Sequence, residues 1–154
     1  MKTQRRSVLK KIFASLAGVA GLSAAAKAMD NTSAPEKTAG DIVDDQDTPL
    51  FSQFTTYNGL VYIAGQGYHE EGDISVHTDN VLKSLEDRLI KAGSSMEKVL
   101  KVNVYLNDIA DYDGMNKVYK GRFGKNPPVR TTVAVAKGGV PGKSLVEIDC
   151  IAYK

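Results

Sequence analysis

One dipeptide restricts the folds open to this chain more than any other feature. Asn58-Gly59 stands between two runs rich in apolar residues, Ser52–Tyr57 and Leu60–Ala64. Asn-Gly is the preferred pair in a two-residue type I′ turn, because both of its positions need a positive φ. Such a pair between two strand-like runs predicts a β-hairpin. Gly65-Gln66-Gly67 follows the second run and ends the predicted strand.

Two amphipathic helices are predicted from apolar residues that recur with the helical period. The first runs from about Thr78 to Ala92, and Gly93 follows it where glycine often ends a helix. The second ends at Gly124 and is marked by five apolar residues, Ile109, Tyr112, Met115, Tyr119 and Phe123. Between the helices, Ser94 and Glu97 form a capping-box pattern that predicts a short helical turn.

Three more strands are predicted from residues that alternate between apolar and polar, as in a half-buried strand. They are Val99–Leu106, Arg130–Ala136 and Leu145–Ala152. The element order β-β-α-β-α-β-β predicts an α+β fold, with one sheet and two helices packed on one face. The last strands also carry apolar residues toward the other face, which is therefore either exposed or covered by other subunits.

The first 28 residues are predicted to be an export signal rather than part of the fold. Arg5-Arg6 precedes a weakly apolar run from Ile12 to Ala26, and Ala26-Lys27-Ala28 supplies the small residues of a cleavage site. The arginine pair favours the twin-arginine export machinery of bacteria, and hence a periplasmic protein. The run is shorter than the roughly 20 residues of a spanning helix, so no stable membrane anchor is predicted. The alternatives are an uncleaved amphipathic anchor and a basic tail without a targeting role.

Removal of residues 1–28 reverses the sign of the net charge. The full chain has 20 basic and 18 acidic residues, and the predicted signal holds six of the basic residues and no acidic residue. The remaining 14 basic and 18 acidic residues give a net charge of −4. An acidic surface disfavours binding to nucleic acid or to anionic lipid. No nucleic-acid partner is therefore predicted.

The rest of the chain divides into a linker and one domain. Residues 29–48 are polar and acidic and predict a flexible linker, whereas residues 49–154 predict the folded domain. The chain has one cysteine, Cys150, so an internal disulfide is excluded. Because Cys150 lies in an apolar strand, we expect a packed core residue rather than a reactive thiol.

The predicted strands contain two candidate site residues, Arg130 and Glu147, because each is a charged residue on a short apolar strand. A guanidinium there either lies in solvent at the rim of the sheet or faces an anion. The alternative is two rim charges, joined or not in a salt bridge. His69 and His77 are the only histidines, and the sequence has no Cys/His cluster with metal-ligand spacing and no nucleotide-binding glycine motif. The sequence thus predicts no metal site and no cofactor.

Three stretches of the domain carry a resemblance: FSQFTTYNGLVYIAGQ, LEDRLIKAGSSMEKVLKVNVYLNDIADYDGMNKVYKGRFGKNPPVRTTVAVA and LVEIDCIA. They are similar to the RidA/YjgF family of enamine and imine deaminases, over about residues 49–154. NPPVRTTV followed by VEI is the most specific part. The resemblance implies a chorismate-mutase-like α+β fold and a homotrimer that buries the inner sheet faces, with active sites in clefts between subunits.

The resemblance also implies a reaction, the hydrolysis of small 2-imino acids to 2-oxo acids and ammonia. It implies that Arg130 holds the substrate carboxylate, and that Glu147 orients and helps to deprotonate the attacking water. Asn116, Gly65 and Thr132 match family positions that contact the substrate or lie near it. No cofactor is implied.

Two single positions and one loop depart from the family pattern. Phe51 stands where many members have a pocket-lining tyrosine, Ala64 stands where a serine is usual, and Tyr68-His69 changes the loop after the second strand. Phe51 and Ala64 each lack a hydroxyl at the implied pocket. The alternative function is a non-catalytic trimeric protein that binds a small carboxylate in the same cleft or acts as a chaperone-like surface. Ribonuclease activity, also attributed to some family members, is disfavoured by the negative charge.

Overall fold

The computed structural model of the chain describes residues 34–154, so the predicted export signal at 1–28 lies outside the described residues. The described elements are β1 (Thr38–Asp45), β2 (Thr48–Tyr57), β3 (Leu60–Gln66), α1 (Ile74–Lys91), β4 (Val99–Leu106), α2 (Tyr112–Tyr119), β5 (Val129–Ala134) and β6 (Val146–Tyr153). Short 3-10 turns lie at Met96–Lys98, Ile109–Asp111 and Pro141–Lys143. No helix in this part of the chain is both long enough and apolar enough to cross a membrane.

The strands form a single sheet in the order β1-β2-β3-β6-β4-β5. Neighbouring strands are antiparallel except for β4 and β5, which are parallel and joined through α2. The predicted hairpin is confirmed, because Tyr57 pairs with Leu60 and both Asn58 and Gly59 have positive φ angles, 48° and 78°. The single sheet with its two helices confirms the predicted α+β fold.

The first helix begins earlier than its apolar pattern indicates. Asp73 caps α1, because its carboxylate accepts the backbone N–H of Val76 at 3.0 Å. The helix therefore starts at Ile74 rather than at Thr78, since the first turn is set by its cap and not by apolar spacing. Gly93 follows the helix with a φ of 82°, as the pattern predicts.

The second helix is shorter than predicted. It ends at Tyr119 rather than at Gly124, because Lys120 leaves the helical conformation and Gly121 adopts a φ of 82°. Phe123 is nevertheless only 2% exposed, and its ring packs against the ring of Tyr119 with centroids 4.9 Å apart. Phe123 therefore reaches the core from the turn after α2, and its apolar side chain does not indicate that the helix continues.

The core lies between the helices and one face of the sheet. Val81, Leu85 and Leu89 of α1 are fully buried and belong to one apolar cluster with Val104 and Ile148 of the sheet. Each fully buried side chain of this size contributes about 1.5–3 kcal/mol relative to an exposed one. The apolar residues whose spacing predicts α1 are therefore the residues that pack against the sheet.

The predicted flexible linker at 29–48 is wrong for residues 38–45, which form β1. This strand pairs with β2 along its length, and its turn, Gln46-Asp47, has positive φ angles at both positions. Asp41 of β1 forms ion pairs with Arg88 and Lys91 of α1. An edge strand buries little surface, so a polar composition does not prevent it from forming.

The capping box predicted at Ser94 and Glu97 is also wrong, although the short turn at Met96–Lys98 is present. No side chain caps this turn, and the hydroxyl of Ser94 instead donates to the carbonyl of Tyr153 at 2.6 Å. Ser94 thus ties the end of α1 to the end of β6. A pairing of this kind joins residues far apart in sequence, which a local pattern does not contain.

The face of the sheet away from the helices, called the open face here, carries apolar side chains. The strand register places one row of side chains across this face. The row runs from Tyr62 of β3 through Ile151 of β6 and Lys101 of β4 to Val129 of β5. Tyr62 is 41% exposed and Val129 is 68% exposed. An apolar surface of this kind is typical of a face that another subunit covers.

Candidate functional site

The two principal candidate residues lie on opposite faces of the sheet. Arg130 pairs with Val102, which is fully buried beneath the helices. Glu147 pairs with Tyr105, which stands three residues further along β4 and therefore points to the open face. A salt bridge between Arg130 and Glu147 within one chain is therefore excluded.

The guanidinium of Arg130 is held by aromatic side chains of α2. It lies 4.6 Å from the ring centroid of Tyr119 and 5.9 Å from that of Tyr112, and it donates a long hydrogen bond of 3.5 Å to the Tyr112 hydroxyl. No ion pair of the described residues includes Arg130. Its Nη1 donates to the sulfur of Met115 at 4.0 Å, which is also a long contact. Cation–π contacts orient the guanidinium, and its donors are engaged only in these long contacts, so Arg130 is suited to exchange them for a bidentate contact with an anion.

A cavity of about 360 Å³ lies beside this guanidinium and is lined by Asn116, Tyr119 and Arg130, among others. The predicted residue Asn116 is thus brought to Arg130. Thr132 lies on the same face of β5 as Arg130, where register places it next to Val104. The fold therefore groups Arg130, Asn116 and Thr132, and we call this group the arginine half-site.

Two hydroxyls of this region are buried without a hydrogen-bond partner among the described residues, those of Tyr119 and Thr132. Burial raises the pKa of Tyr119 to about 12, so its hydroxyl is a neutral donor at ordinary pH. Buried polar groups without partners are rare in folded proteins and mark positions that require explanation. The sequence pattern assigns Tyr119 to the core and does not indicate this hydroxyl.

Glu147 lies against a bend at the end of β3, where the pairing register with β6 shifts between Ile63 and Gln66. A Cβ atom placed on Gly65 would lie 2.1 Å from Oε1 of Glu147, so the carboxylate occupies the space that only glycine leaves. The next residue, Gln66, is 5% exposed and fixes this bend, because it donates to the carbonyl of Ala64 at 2.9 Å and accepts from Ser84 at 2.8 Å. Gly65 and Glu147 are thus brought together, and we call this pair the glutamate half-site.

A second cavity, of about 350 Å³, lies beside Glu147. Tyr105, Asp149 and Val140 line it together with Glu147. Asp149 shares the open face with Glu147, as alternation predicts, and it accepts a hydrogen bond of 2.8 Å from Asn103. Burial, followed by the neighbouring Asp149 carboxylate, raises the pKa of the Tyr105 phenol. Sequence reasoning misses Tyr105, because its position beside Glu147 depends on the pairing of β4 with β6.

The other sequence-based predictions fall outside the two half-sites. Phe51 lies on β2 next to Val43 of β1, is 46% exposed and lines neither cavity. Cys150 is 1% exposed and burial raises its pKa to about 12, which confirms the predicted core residue. His69 is an exposed loop residue whose Nδ1 lies 3.0 Å from the carbonyl of Gly142. No group of three His, Cys, Asp or Glu side chains within residues 34–154 is arranged to hold a metal ion.

Comparison with known proteins gives consistent findings. The sequence model of the family described as Endoribonuclease L-PSP matches residues 45–154. RutC family protein UK114 of Drosophila melanogaster is 41% identical over 109 residues, covering 66% of this chain and 78% of that protein. A RutC family protein of Pyrococcus horikoshii is 39% identical over 111 residues, covering 68% and 86%. A solved structure from Mycobacterium tuberculosis, a member of the YjgF/YER057c/UK114 family, has a TM-score of 0.67 at 28% identity, with 77% of this chain and all of that chain covered.

Proposed function

The chain belongs to the RidA/YjgF family, whose sequence model carries the description Endoribonuclease L-PSP, and from this premise we propose that it hydrolyses reactive 2-imino and enamine acids to 2-oxo acids and ammonia. The proposed site is a cleft between subunits of a homotrimer. One subunit contributes the arginine half-site and its neighbour contributes the glutamate half-site.

The observation that carries this proposal is the placement of Arg130 and Glu147 on opposite faces of one sheet. Association between subunits is required if a guanidinium and a carboxylate of this chain are to act on one small molecule. The exposed apolar residues of the open face, such as Tyr62 and Val129, supply a surface for that association. Members of the family are typically oligomeric and bind small ligands, which fits the same arrangement.

The proposed chemistry uses the properties of each half-site. Arg130 binds the substrate carboxylate through two parallel N–H donors. Glu147 accepts a proton from water as the water oxygen bonds to the C=N carbon, and the electron pair of the C=N bond moves to nitrogen. The proton passes from Glu147 to nitrogen, which gives a carbinolamine with one hydroxyl and one amino group. The hydroxyl proton then passes to the amino group, the C–N bond breaks as ammonia leaves, and the carbon retains the oxygen as a carbonyl group. Imine and water are thereby converted to 2-oxo acid and ammonia.

The second candidate function is that of a non-catalytic trimeric protein, which binds a small carboxylate at Arg130 or presents a chaperone-like surface. It is favoured by the two hydroxyls that Phe51 and Ala64 lack relative to the family pattern. Ribonuclease action, which the family description names, is disfavoured by the net charge of −4 over residues 29–154.

We also propose that the protein is exported to the periplasm by the twin-arginine machinery. The support is the sequence of residues 1–28, with Arg5-Arg6, a short apolar run and small residues at the predicted cleavage site. Cell fractionation of the full chain and of an Arg5→Lys/Arg6→Lys variant tests this. We expect the variant to remain in the cytoplasm, and an unchanged distribution would reject the proposed route.

The proposed reaction is tested by following imine decay in the purified protein. An amino-acid oxidase generates 2-imino acids in the cuvette, and semicarbazide traps the imine that remains as a coloured adduct. We expect the wild type to reduce adduct formation. Glu147→Gln should lose this effect, because its rate of imine hydrolysis should be at least about 100-fold lower than that of the wild type. Glu86→Gln, at an exposed position of α1, is the matched control and should retain full activity. Sedimentation must show the same oligomer for all three proteins.

The same assay separates the two candidate functions. A binding protein would accelerate no imine loss, yet it would bind a stable 2-oxo acid such as 2-oxobutanoate in calorimetry. Under the deaminase proposal, Glu147→Gln binds that acid while Arg130→Ala does not, because only Arg130 contacts the carboxylate. Turnover by the wild type with no loss in either variant would reject the assigned residues.

A further inference from the structure

A buried serine connects the loop after β3 to the beginning of β6. Ser144 is 1% exposed, and its hydroxyl oxygen accepts the backbone N–H of Tyr68 at 3.0 Å. The same hydroxyl donates to the carbonyl of Val146 at 2.7 Å. Val146 immediately precedes Glu147, so this contact bears directly on the strand that carries the carboxylate.

A buried histidine of α1 holds the adjacent residue. His77 is 3% exposed, and its Nδ1 accepts the backbone N–H of Leu145 at 3.2 Å. An N–H donor requires a ring nitrogen without a proton, so this contact assigns the proton of the neutral imidazole to Nε2. The ring of Tyr68 meets that of His77 edge to face with centroids 5.2 Å apart, which fixes the orientation of the imidazole.

We propose that His77 is a positioning residue for Glu147, acting through the backbone N–H of Leu145. The inference rests on the proposed function, in which Glu147 activates water. β6 begins at Val146, so Leu145 is the point where the strand is anchored to the helix layer. The carboxylate of Glu147 already fills the space left by Gly65, and a shift of the strand start moves it away from the water that it must orient.

The location of His77 distinguishes this role from a catalytic one. His77 lines neither the cavity at Arg130 nor the cavity at Glu147, and it is almost fully buried. The imidazole therefore acts on the backbone and not on the substrate. His69 differs, because it is exposed and its Nδ1 lies 3.0 Å from the carbonyl of Gly142, in the short turn that precedes β6.

Two substitutions in the full-length protein separate positioning from a general packing role. His77→Asn places a side-chain oxygen near the position of Nδ1 and keeps an acceptor for Leu145, whereas His77→Leu keeps an apolar volume and removes the acceptor. Thr78→Val is the matched control, because Thr78 is equally buried and its hydroxyl only donates to Ile74 within α1.

We expect His77→Leu to lower kcat for imine hydrolysis by about 10- to 100-fold, because the general base is displaced while Arg130 still binds the substrate. KM should stay within about twofold of the wild type, since the carboxylate contact is intact. His77→Asn should recover most of kcat, and Thr78→Val should match the wild type. Amide exchange at Leu145, measured by NMR, should be fast only in His77→Leu.

Several results would overturn the inference. Wild-type kcat in a folded His77→Leu protein would do so, and so would equal losses in the Asn and Leu variants. Slow exchange at Leu145 in His77→Leu would show that Nδ1 does not hold this amide. An inactive wild type would reject the proposed function instead, and the exchange rates of Leu145 would then decide on their own whether His77 anchors the start of β6.

Discussion

Activity should be restored when two inactive variants share one oligomer. Under the proposed function, Arg130→Ala removes the contact to the substrate carboxylate and Glu147→Gln removes the base, so each variant alone should be at least about 100-fold slower than the wild type. Because Arg130 and Glu147 lie on opposite faces of the sheet, a site between subunits takes one from each of two neighbours. An Arg130→Ala subunit can therefore supply Glu147 to a Glu147→Gln neighbour that supplies Arg130.

The size of the recovery follows from random assembly. In an equal mixture, half of the subunits carry an intact arginine and the other half carry an intact glutamate. Each site draws the two residues from different subunits of a closed ring, so about one quarter of the sites receive both and the mixture should reach about 25% of wild-type activity. Differently tagged subunits, co-expressed and examined by native mass spectrometry, establish that assembly is random.

A second mixture provides the matched control. Wild type mixed equally with the Arg130→Ala/Glu147→Gln double variant should also have about one quarter of its sites intact if the site lies between subunits. A site within one chain would leave about one half intact in this mixture, and none in the mixture of single variants. If the two single variants assemble randomly and the mixture recovers no activity, the inference that Arg130 and Glu147 of neighbouring subunits form one site is refuted.

Three further outcomes are expected. Gly65→Ala should lower kcat by at least about tenfold in the imine assay, because the added Cβ would displace the Glu147 carboxylate. Its Tm, measured by thermal melting, should change little. An unchanged kcat would contradict the contact between Gly65 and Glu147. Leu85→Ala should destabilise the fold by about 2–5 kcal/mol in urea unfolding, since Leu85 is fully buried in the core, and a loss below about 1 kcal/mol would count against that packing. Cys150 should not react with a thiol reagent at pH 8 until the protein is unfolded. The reason is that its pKa is raised to about 12, and only the thiolate is nucleophilic. Rapid labelling of the native protein would show that the thiol is accessible and would contradict its burial.

Much of the fold is predictable from local signals. The Asn58-Gly59 turn, the apolar period of α1 and the alternation of β4 each involve residues within a few positions of one another. β1 is missed because its polar residues resemble a linker, and its pairing with β2 stabilises it instead. The end of α2 is missed because Phe123 reaches the core from a turn, with a spacing that imitates the helical period.

The candidate site is less accessible to sequence reasoning than the fold. Arg130 and Glu147 can be selected because each is a charge on an apolar strand, and family resemblance adds Asn116, Thr132 and Gly65. Tyr105 and His77 carry no such signal. Tyr105 becomes a neighbour of Glu147 only through strand pairing, and His77 reaches the start of β6 only through the packing of α1 on the sheet, with 68 positions separating it from Leu145.

The sequence by itself determined the presence of both helices and of every strand except β1, the α+β class and the chemical groups available, because turns and side-chain periodicity are properties of short segments. The tertiary structure alone decided that the guanidinium and the carboxylate point away from each other. The face on which a strand presents a side chain depends on its register with neighbouring strands and on the face that the helices cover. Here the parallel pairing of β4 with β5 turns Arg130 toward the helices, and the antiparallel pairing of β4 with β6 turns Glu147 toward the open face.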